Sequence, residues 1–346
     1  MSQGWDDEPR WLRVIADPRL FAGACAWLIV LTVLGTLAQR DLGLYQAQER
    51  YFTDWFLWLG ALPLPGGRLT LSLAGLGLLA ALFTRRSARH PGLALLHGGT
   101  VVLLAGCMAG AALRQEGTLA LGEGERGAAM DSWLHHELAL RCQDPPRLVT
   151  IGEGLLRAGE PLAVREVPLA LRVVAHHRNA RPSDDGGIEM LAPSTQAEAN
   201  QAGLILALPD GREVALCEGG ATRQLAPGVQ ATLRRIVTPL PFELELLSFR
   251  MERHPGTGLP RHFAAEVTVR EGGTTRRVVI SMNQPLRIGA WTAYLQSWGE
   301  GFGGSLTAQF AIAHDRFQLS PYIASAIMLL GLLWHLVRRM RRAEAP

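Results

Sequence analysis

Four stretches of this chain are apolar without the polar alternation of a soluble protein. Residues 20–38 carry no charge over 19 positions, which as a helix is about 29 Å, the depth of a bilayer core. Residues 69–84 form a shorter run. Residues 93–113 form a third, interrupted by His97, and residues 319–337 a fourth, containing His335. Between the third and fourth, the pattern changes to short alternations of apolar and polar residues separated by turn residues. Strands are predicted at 138–142, 169–175, 204–208, 213–217, 230–237, 242–249, 264–270, 277–282, 291–297 and 306–312. Pro209-Asp210-Gly211 and Glu271-Gly272-Gly273 read as hairpin turns. Residues 178–201 are polar and read as a flexible loop.

These patterns predict a multi-pass α+β membrane protein. It has four transmembrane helices and a large extracytoplasmic β-rich, sandwich-like domain between spans three and four. About 200 residues suffice for one core in that domain. Arginines set the orientation. Arg10, Arg13 and Arg19 precede the first span; Arg85, Arg86 and Arg89 lie between the second and third; Arg338, Arg339, Arg341 and Arg342 follow the fourth. With four spans these groups share one side, the cytoplasm. The expected order is a cytoplasmic tail (1–19), span one (20–38), an outer loop (39–68), span two (69–84), a cytoplasmic loop (85–92) and span three (93–113). The outer domain (114–318), span four (319–337) and a cytoplasmic tail (338–346) complete it. Both termini are then inside, and the β-rich domain is periplasmic. A cleavable signal peptide is the competing reading of the first run, whose apolar core is long for one. The aromatic-rich segment 42–60 is expected to form an amphipathic helix in the outer interface.

Composition agrees with this mixture. Of 346 residues, 48% are hydrophobic and only 19% charged, below the quarter usual for soluble domains. A net charge of +3, without a basic stripe away from the ends of the apolar runs, argues against nucleic acid as a partner. All 34 cationic side chains are arginine, which excludes a catalytic lysine. Cys25, Cys107, Cys142 and Cys217 form no CxxC pair, so the chain is neither a c-type cytochrome nor a dithiol reductase of the usual kind. Cys142 and Cys217 both belong to the outer domain, where a disulfide between them could form. There is no HExxH, GxSxG or phosphate-binding glycine loop, and no catalytic group is assigned.

The informative residues are the histidines inside apolar runs, since an ionisable side chain there is costly. His97 lies roughly 9 Å beyond Pro91 along span three, near the cytoplasmic end. Gly99, Gly106 and Gly110 share one face of that span, and Gly106 and Gly110 form a GxxxG pair suited to close helix approach. His97 stands about 180° from Gly106 on the helical wheel. Ala324, Met328, Gly331 and His335 share a face of span four, so His335 is expected to point at protein. Two readings of His97 are open: an axial haem ligand, or a neutral imidazole bonded to a neighbouring helix. His335 also suits a helix C-terminus or a headgroup contact. The outer histidines His135, His136, His176, His177, His254, His262 and His314 read mostly as surface residues. The adjacent pairs are poor chelates, because neighbours on a strand face opposite ways.

Several segments then resemble one family in order along nearly the whole chain. GTLAQ at 35–39, YFTDWF at 51–56, His97 with the following LLAG, EGTLALGEGE at 116–125, PFELELLSF at 241–249, SMNQPLRIG at 281–289 and TAYLQSWG at 292–299 are similar to the ResB/CcsB family of cytochrome c biogenesis proteins. The resemblance implies a System II role. A ResB-like subunit there works with a ResC/CcsA-type membrane protein carrying a WWD segment, moving haem outward and attaching it to apocytochrome c. This chain has no WWD pattern, so it is expected to be a non-catalytic subunit of the haem lyase complex. By resemblance, His97 matches the position that gives one axial ligand to a transient haem b in the membrane, the partner supplying the other. His335 is a second candidate for contact with the haem. The family's frequent DPG before the last span appears here as His314-Asp315-Arg316, and the outer domain is shorter than in many members. The alternative from a different class is a membrane cytochrome b subunit of a quinol electron-transfer complex, with His97 and His335 as a bis-histidine pair.

Overall fold

The computed structural model describes residues 9–84, 90–257 apart from positions 163, 165, 166, 168, 184 and 185, then 260–300 and 306–343. Arg85, Arg86 and Arg89 lie outside the described residues. The chain divides into two compact units: residues 1–114 with 315–346, and Gln115–His314.

The first unit is helical. A short helix α1 (Arg10–Ile15) precedes α2 (Pro18–Leu42). Asp17 caps α2, its carboxylate accepting from the Arg19 amide at 2.8 Å, with Pro18 in the first helical position. Gly43, at φ 77°, ends it in a conformation that costs glycine little. A one-turn helix α3 (Leu44–Gln48) runs into a π-turn at Glu49–Thr53. A hairpin follows, β1 (Phe56–Leu59) with β2 (Leu62–Pro65), and then α4 (Gly67–Leu82). The expected interfacial helix over 42–60 is therefore interrupted. Beyond Asp54 the apolar residues, with Pro63 and Pro65 close by, take a strand pairing. After the undescribed positions come α5 (Pro91–Leu113) and, past the second unit, α6 (Ser320–Ala343).

Three stretches, Arg10–Leu42, Pro91–Leu113 and Ser320–Arg341, are long and apolar enough to cross a membrane. α4 is apolar but spans 16 residues, about 24 Å. Ile29, Val33 and Leu37 on α2, and Leu329, Leu330 and Leu333 on α6, lie exposed, as suits surfaces facing lipid.

The second unit is β-rich. Its strands are β3 (Gln115–Gly122), β4 (Arg126–Cys142), β5 (Arg147–Gly152), β6 (Pro161–Leu162), β7 (Leu171–His177), β8 (Ala180–Pro182), β9 (Ile188–Met190), β10 (Gly203–Ala207) and β11 (Glu213–Cys217). They continue with β12 (Arg223–Ala226), β13 (Val229–Arg253), β14 (Pro260–Glu271), β15 (Thr274–Ser281), β16 (Leu286–Ile288), β17 (Trp291–Glu300) and β18 (Leu306–His314). One large antiparallel sheet runs β15-β14-β13-β4-β3-β18-β17-β16, with β5 on β4 and β12 on β13. A second sheet runs β11-β10-β7-β6.

Two hydrophobic cores result. In one, the large sheet curls around Leu121, Leu244, Leu246, Val267, Ile280 and Phe310. In the other, Leu138, Leu140 and Leu233 of the large sheet pack against Leu204, Leu206 and Val173 of the second. The long strands β4 and β13 serve both cores, with inward residues at every second position: Val229, Ala231 and Leu233 in one core, Phe242, Leu244 and Leu246 in the other. The two strands predicted at 230–237 and 242–249 are thus one strand. Pro239 and Pro241 do not end it, because they lie where its register against β4 shifts, between Pro239 and Leu244. The segment 178–201 is ordered more than its polarity suggested: β8 pairs with β9, and Ala180 is buried.

Candidate functional site

Glycines form a seam along α5. A Cβ on Gly92 would lie 2.8 Å from the Gly331 carbonyl oxygen and 3.0 Å from His335 Cβ. One on Gly99 would lie 2.5 Å from Met328 Cγ and 3.0 Å from the Ala324 carbonyl oxygen. Gly106 leaves room for Ser320, and Gly110 faces Asp315 and Phe317. The small-residue faces expected on spans three and four thus pack against each other.

His97 belongs to another stripe. Leu104 and Met108, seven and eleven positions on, share its side of α5. Leu104 lies against Gly75 of α4, and Met108 Sδ is 4.0 Å from Ser72 Oγ. His97 is half-buried, and beside it a Cβ on Gly98 would meet no atom within 4 Å, so the surface there is open. His335 is exposed except where it lies against Gly92. Gly92 is about 140° around α5 from His97, so the two histidines do not share a face of that helix.

A second cluster, which sequence reasoning missed, occupies the junction of the two cores in the β-rich unit. Pairing between β4 and β13 runs from Cys142↔Val229 to His136↔Arg235, then resumes at Asp131↔Val237. The intervening residues of β4 form a bulge that suspends the strand alternation. His135 and His136 therefore both reach Glu153, His135 Nδ1 at 2.8 Å and His136 Nδ1 at 3.4 Å. His136 Nε2 is 2.8 Å from Glu218 Oε2. Arg235 donates to Glu218 Oε1 at 2.6 Å, to the Trp133 carbonyl and to the Glu198 carbonyl. His136 is thus a buried clasp, not a surface residue, and it ties β4 to the turn after β5 and to the end of β11.

The electrostatics follow from this geometry. Burial disfavours the charged imidazole of His136, but hydrogen bonds to Glu153 and Glu218 outweigh it and push its pKa up to about 9. Burial also opposes the charge on Glu218, yet bonds from His136 and Arg235 bring its pKa down to about 2. Glu153, half-buried, is held well below the usual carboxylate range against its own desolvation by His135 and His136. Nearby, burial lowers the pKa of His176, whose Nε2 is buried without a hydrogen-bond partner among the described residues. No group of three or more His, Cys, Asp or Glu side chains is disposed to hold a metal ion among the described residues. Cys142 and Cys217 are both buried as free thiols, so the possible disulfide is not formed. Cys142 belongs to the core beside Val229, while Cys217 Sγ lies 3.6 Å from the Ala180 carbonyl oxygen.

Residues 202–309, from the start of β10 into β18, match the ResB-like family. Over 322 residues, 90% of this chain, the sequence is 23% identical to Protein NrfI of Wolinella succinogenes. That alignment covers 33% of the relative, so the chain spans about a third of its length. The matched segment includes Glu218 and Arg235 of the clasp, while His97 and His136 precede it. Part of the β-rich unit is thus similar to the ResB-like family, and most of the chain aligns with one weakly similar relative.

Proposed function

We propose that this chain acts in cytochrome c biogenesis as the ResB-like subunit of a System II haem export and cytochrome c synthase complex. In this reading α2, α4, α5 and α6 span the cytoplasmic membrane, both termini are cytoplasmic, and the β-rich unit is periplasmic. Haem is the cargo. The chain supplies one axial nitrogen from His97, and a ResC/CcsA-type WWD partner supplies the other. Ligation by two neutral nitrogens holds the iron while the apolar ring stays against apolar side chains. The β-rich unit serves as a scaffold for apocytochrome c, and the buried acid and base groups of its clasp are bonded to one another.

The family match over residues 202–309 carries this reading. The packing of α5 supports the shared-ligand form over the cytochrome b alternative. Its glycine face is occupied by α6, and His97 lies on the stripe that meets α4, away from the face of α5 against which His335 lies. The test is genetic and chemical. A host lacking this chain is expected to lose covalently bound haem from its c-type cytochromes on haem-stained gels, and the wild-type chain to restore it. Unchanged haem staining in the deletion strain would contradict the proposal.

A further inference from the structure

Residues 55–65 read WFLWLGALPLP, with no ionisable side chain and no hydroxyl. They form the β1–β2 hairpin, and Phe56, Trp58, Leu59 and Leu62 are all exposed. In water, such a patch would be an aggregation liability. The hairpin's register shows how its backbone is suited to a drier place. The Gly66 amide donates to the Trp55 carbonyl at 2.9 Å, and the pairs Phe56↔Pro65, Leu57↔Leu64, Trp58↔Pro63 and Leu59↔Leu62 follow. Antiparallel pairs alternate between bonded and non-bonded. Hence 57↔64 and 59↔62 are the bonded pairs, and the backbone groups of Phe56, Trp58, Pro63 and Pro65 point outward along the two edges. On β2 both outward positions are prolines, which have no amide hydrogen to leave unsatisfied. The outward carbonyl of Pro65 accepts from Trp27 Nε1 at 2.7 Å. The β2 edge therefore presents no orphaned donor.

Its attachment ties it to the apolar part of α2. Trp27 stands within the charge-free run of α2, and the ring of Phe52 packs against Gly35 of the same run. α4 starts immediately after the hairpin and, at about 24 Å, falls short of a core of roughly 30 Å. Arg68 lies over the Trp55 ring at 5.8 Å and Arg50 over Tyr51 at 5.9 Å, cations at the ends of apolar stems suited to reach lipid phosphates. The β1 edge keeps the amides of Phe56 and Trp58 as its outward backbone donors.

We propose that the β1–β2 hairpin is a lipid-seated element, inserted into the bilayer beside α2 and α4. This rests on the spanning reading of those helices. The test places a nitroxide at Leu59→Cys, where the native side chain is 68% exposed. Cys25 and Cys107 are replaced by alanine, and the buried Cys142 and Cys217 are kept. The full chain is reconstituted in phosphatidylcholine–phosphatidylglycerol vesicles, and collision with oxygen is compared with collision with a water-soluble nickel chelate. The oxygen-to-nickel ratio is expected to be several-fold higher at Leu59→Cys than at Gln224→Cys in the β-rich unit. Equal ratios would overturn the proposal, and so would exclusion of both reagents, which would mean a protein covers the hairpin. A label at Val30→Cys on α2 separates the two levels: if it too is open to nickel, the spanning reading fails and the proposal with it.

Discussion

Gly92 and Gly331 face each other so closely that a Cβ on either would come within 2.8 Å of the other's carbonyl oxygen. Backbone surrounds both positions, with Leu96 N 2.9 Å from a Cβ on Gly331, so no side-chain rotation makes room. Gly331→Val is expected to destabilise the α5–α6 pair by about 1–3 kcal/mol, the usual cost of overpacking. Thermal unfolding in detergent measures it. Substitution at Gly98, where a Cβ meets nothing within 4 Å, is the matched control and is expected to leave the midpoint unchanged.

The clasp makes a second prediction. Removing one partner of a buried ion pair leaves an uncompensated charge, at a cost of about 3–5 kcal/mol. His136→Ala takes the imidazole from Glu218, a largely buried side chain that keeps Arg235, and is expected to cost less than that, about 1–3 kcal/mol. His135→Ala removes an imidazole that is 66% exposed and is expected to change little. Denaturant unfolding of the two variants compares them.

The same residues set a pH dependence. The pKa of His136 is raised from 6.5 to about 9 in the folded chain. Its contribution is therefore complete below pH 6.5 and is lost as pH rises through about 9. Glu218, lowered from 4.5 to about 2, contributes fully above pH 4.5 and loses its contribution as pH falls through about 2. Stability from the clasp is thus greatest between about pH 4.5 and 6.5. The unfolding midpoint is expected to fall between pH 6.5 and 9, and this slope is expected to flatten in His136→Gln.

Much of this was legible in the sequence because it rests on short-range pattern. Charge-free runs reported the long helices, and glycine spacing at 99, 106 and 110 reported the face that meets α6. Alternation located most strands. What was not legible depends on pairing between distant residues. Pro239 and Pro241 look like a strand break, and only the shifted register against β4 accommodates them. His135 and His136 look like opposed surface residues, and only the bulge between β4 and β13 turns both to Glu153. Adjacent histidines at the start of the alternation that carries Leu138 and Leu140 inward were the available signal.

The cysteines offer a separate check. All four are free, including the buried Cys142 and Cys217. Alkylation of the denatured chain without reductant is expected to add four labels by mass spectrometry, with no increase after reduction. Two labels without reductant, rising to four with it, would show a disulfide and contradict this packing.

The central claim is that His97 gives the chain's single haem ligand and that a partner gives the other. The reduced-minus-oxidised visible spectrum of the chain, purified alone and with its WWD-type partner, tests it most directly. Haem absorbance is expected only in the co-purified complex, lost in His97→Ala and largely kept in His335→Ala. Stable redox-active haem in the lone chain, or an unchanged spectrum in His97→Ala, would contradict the account.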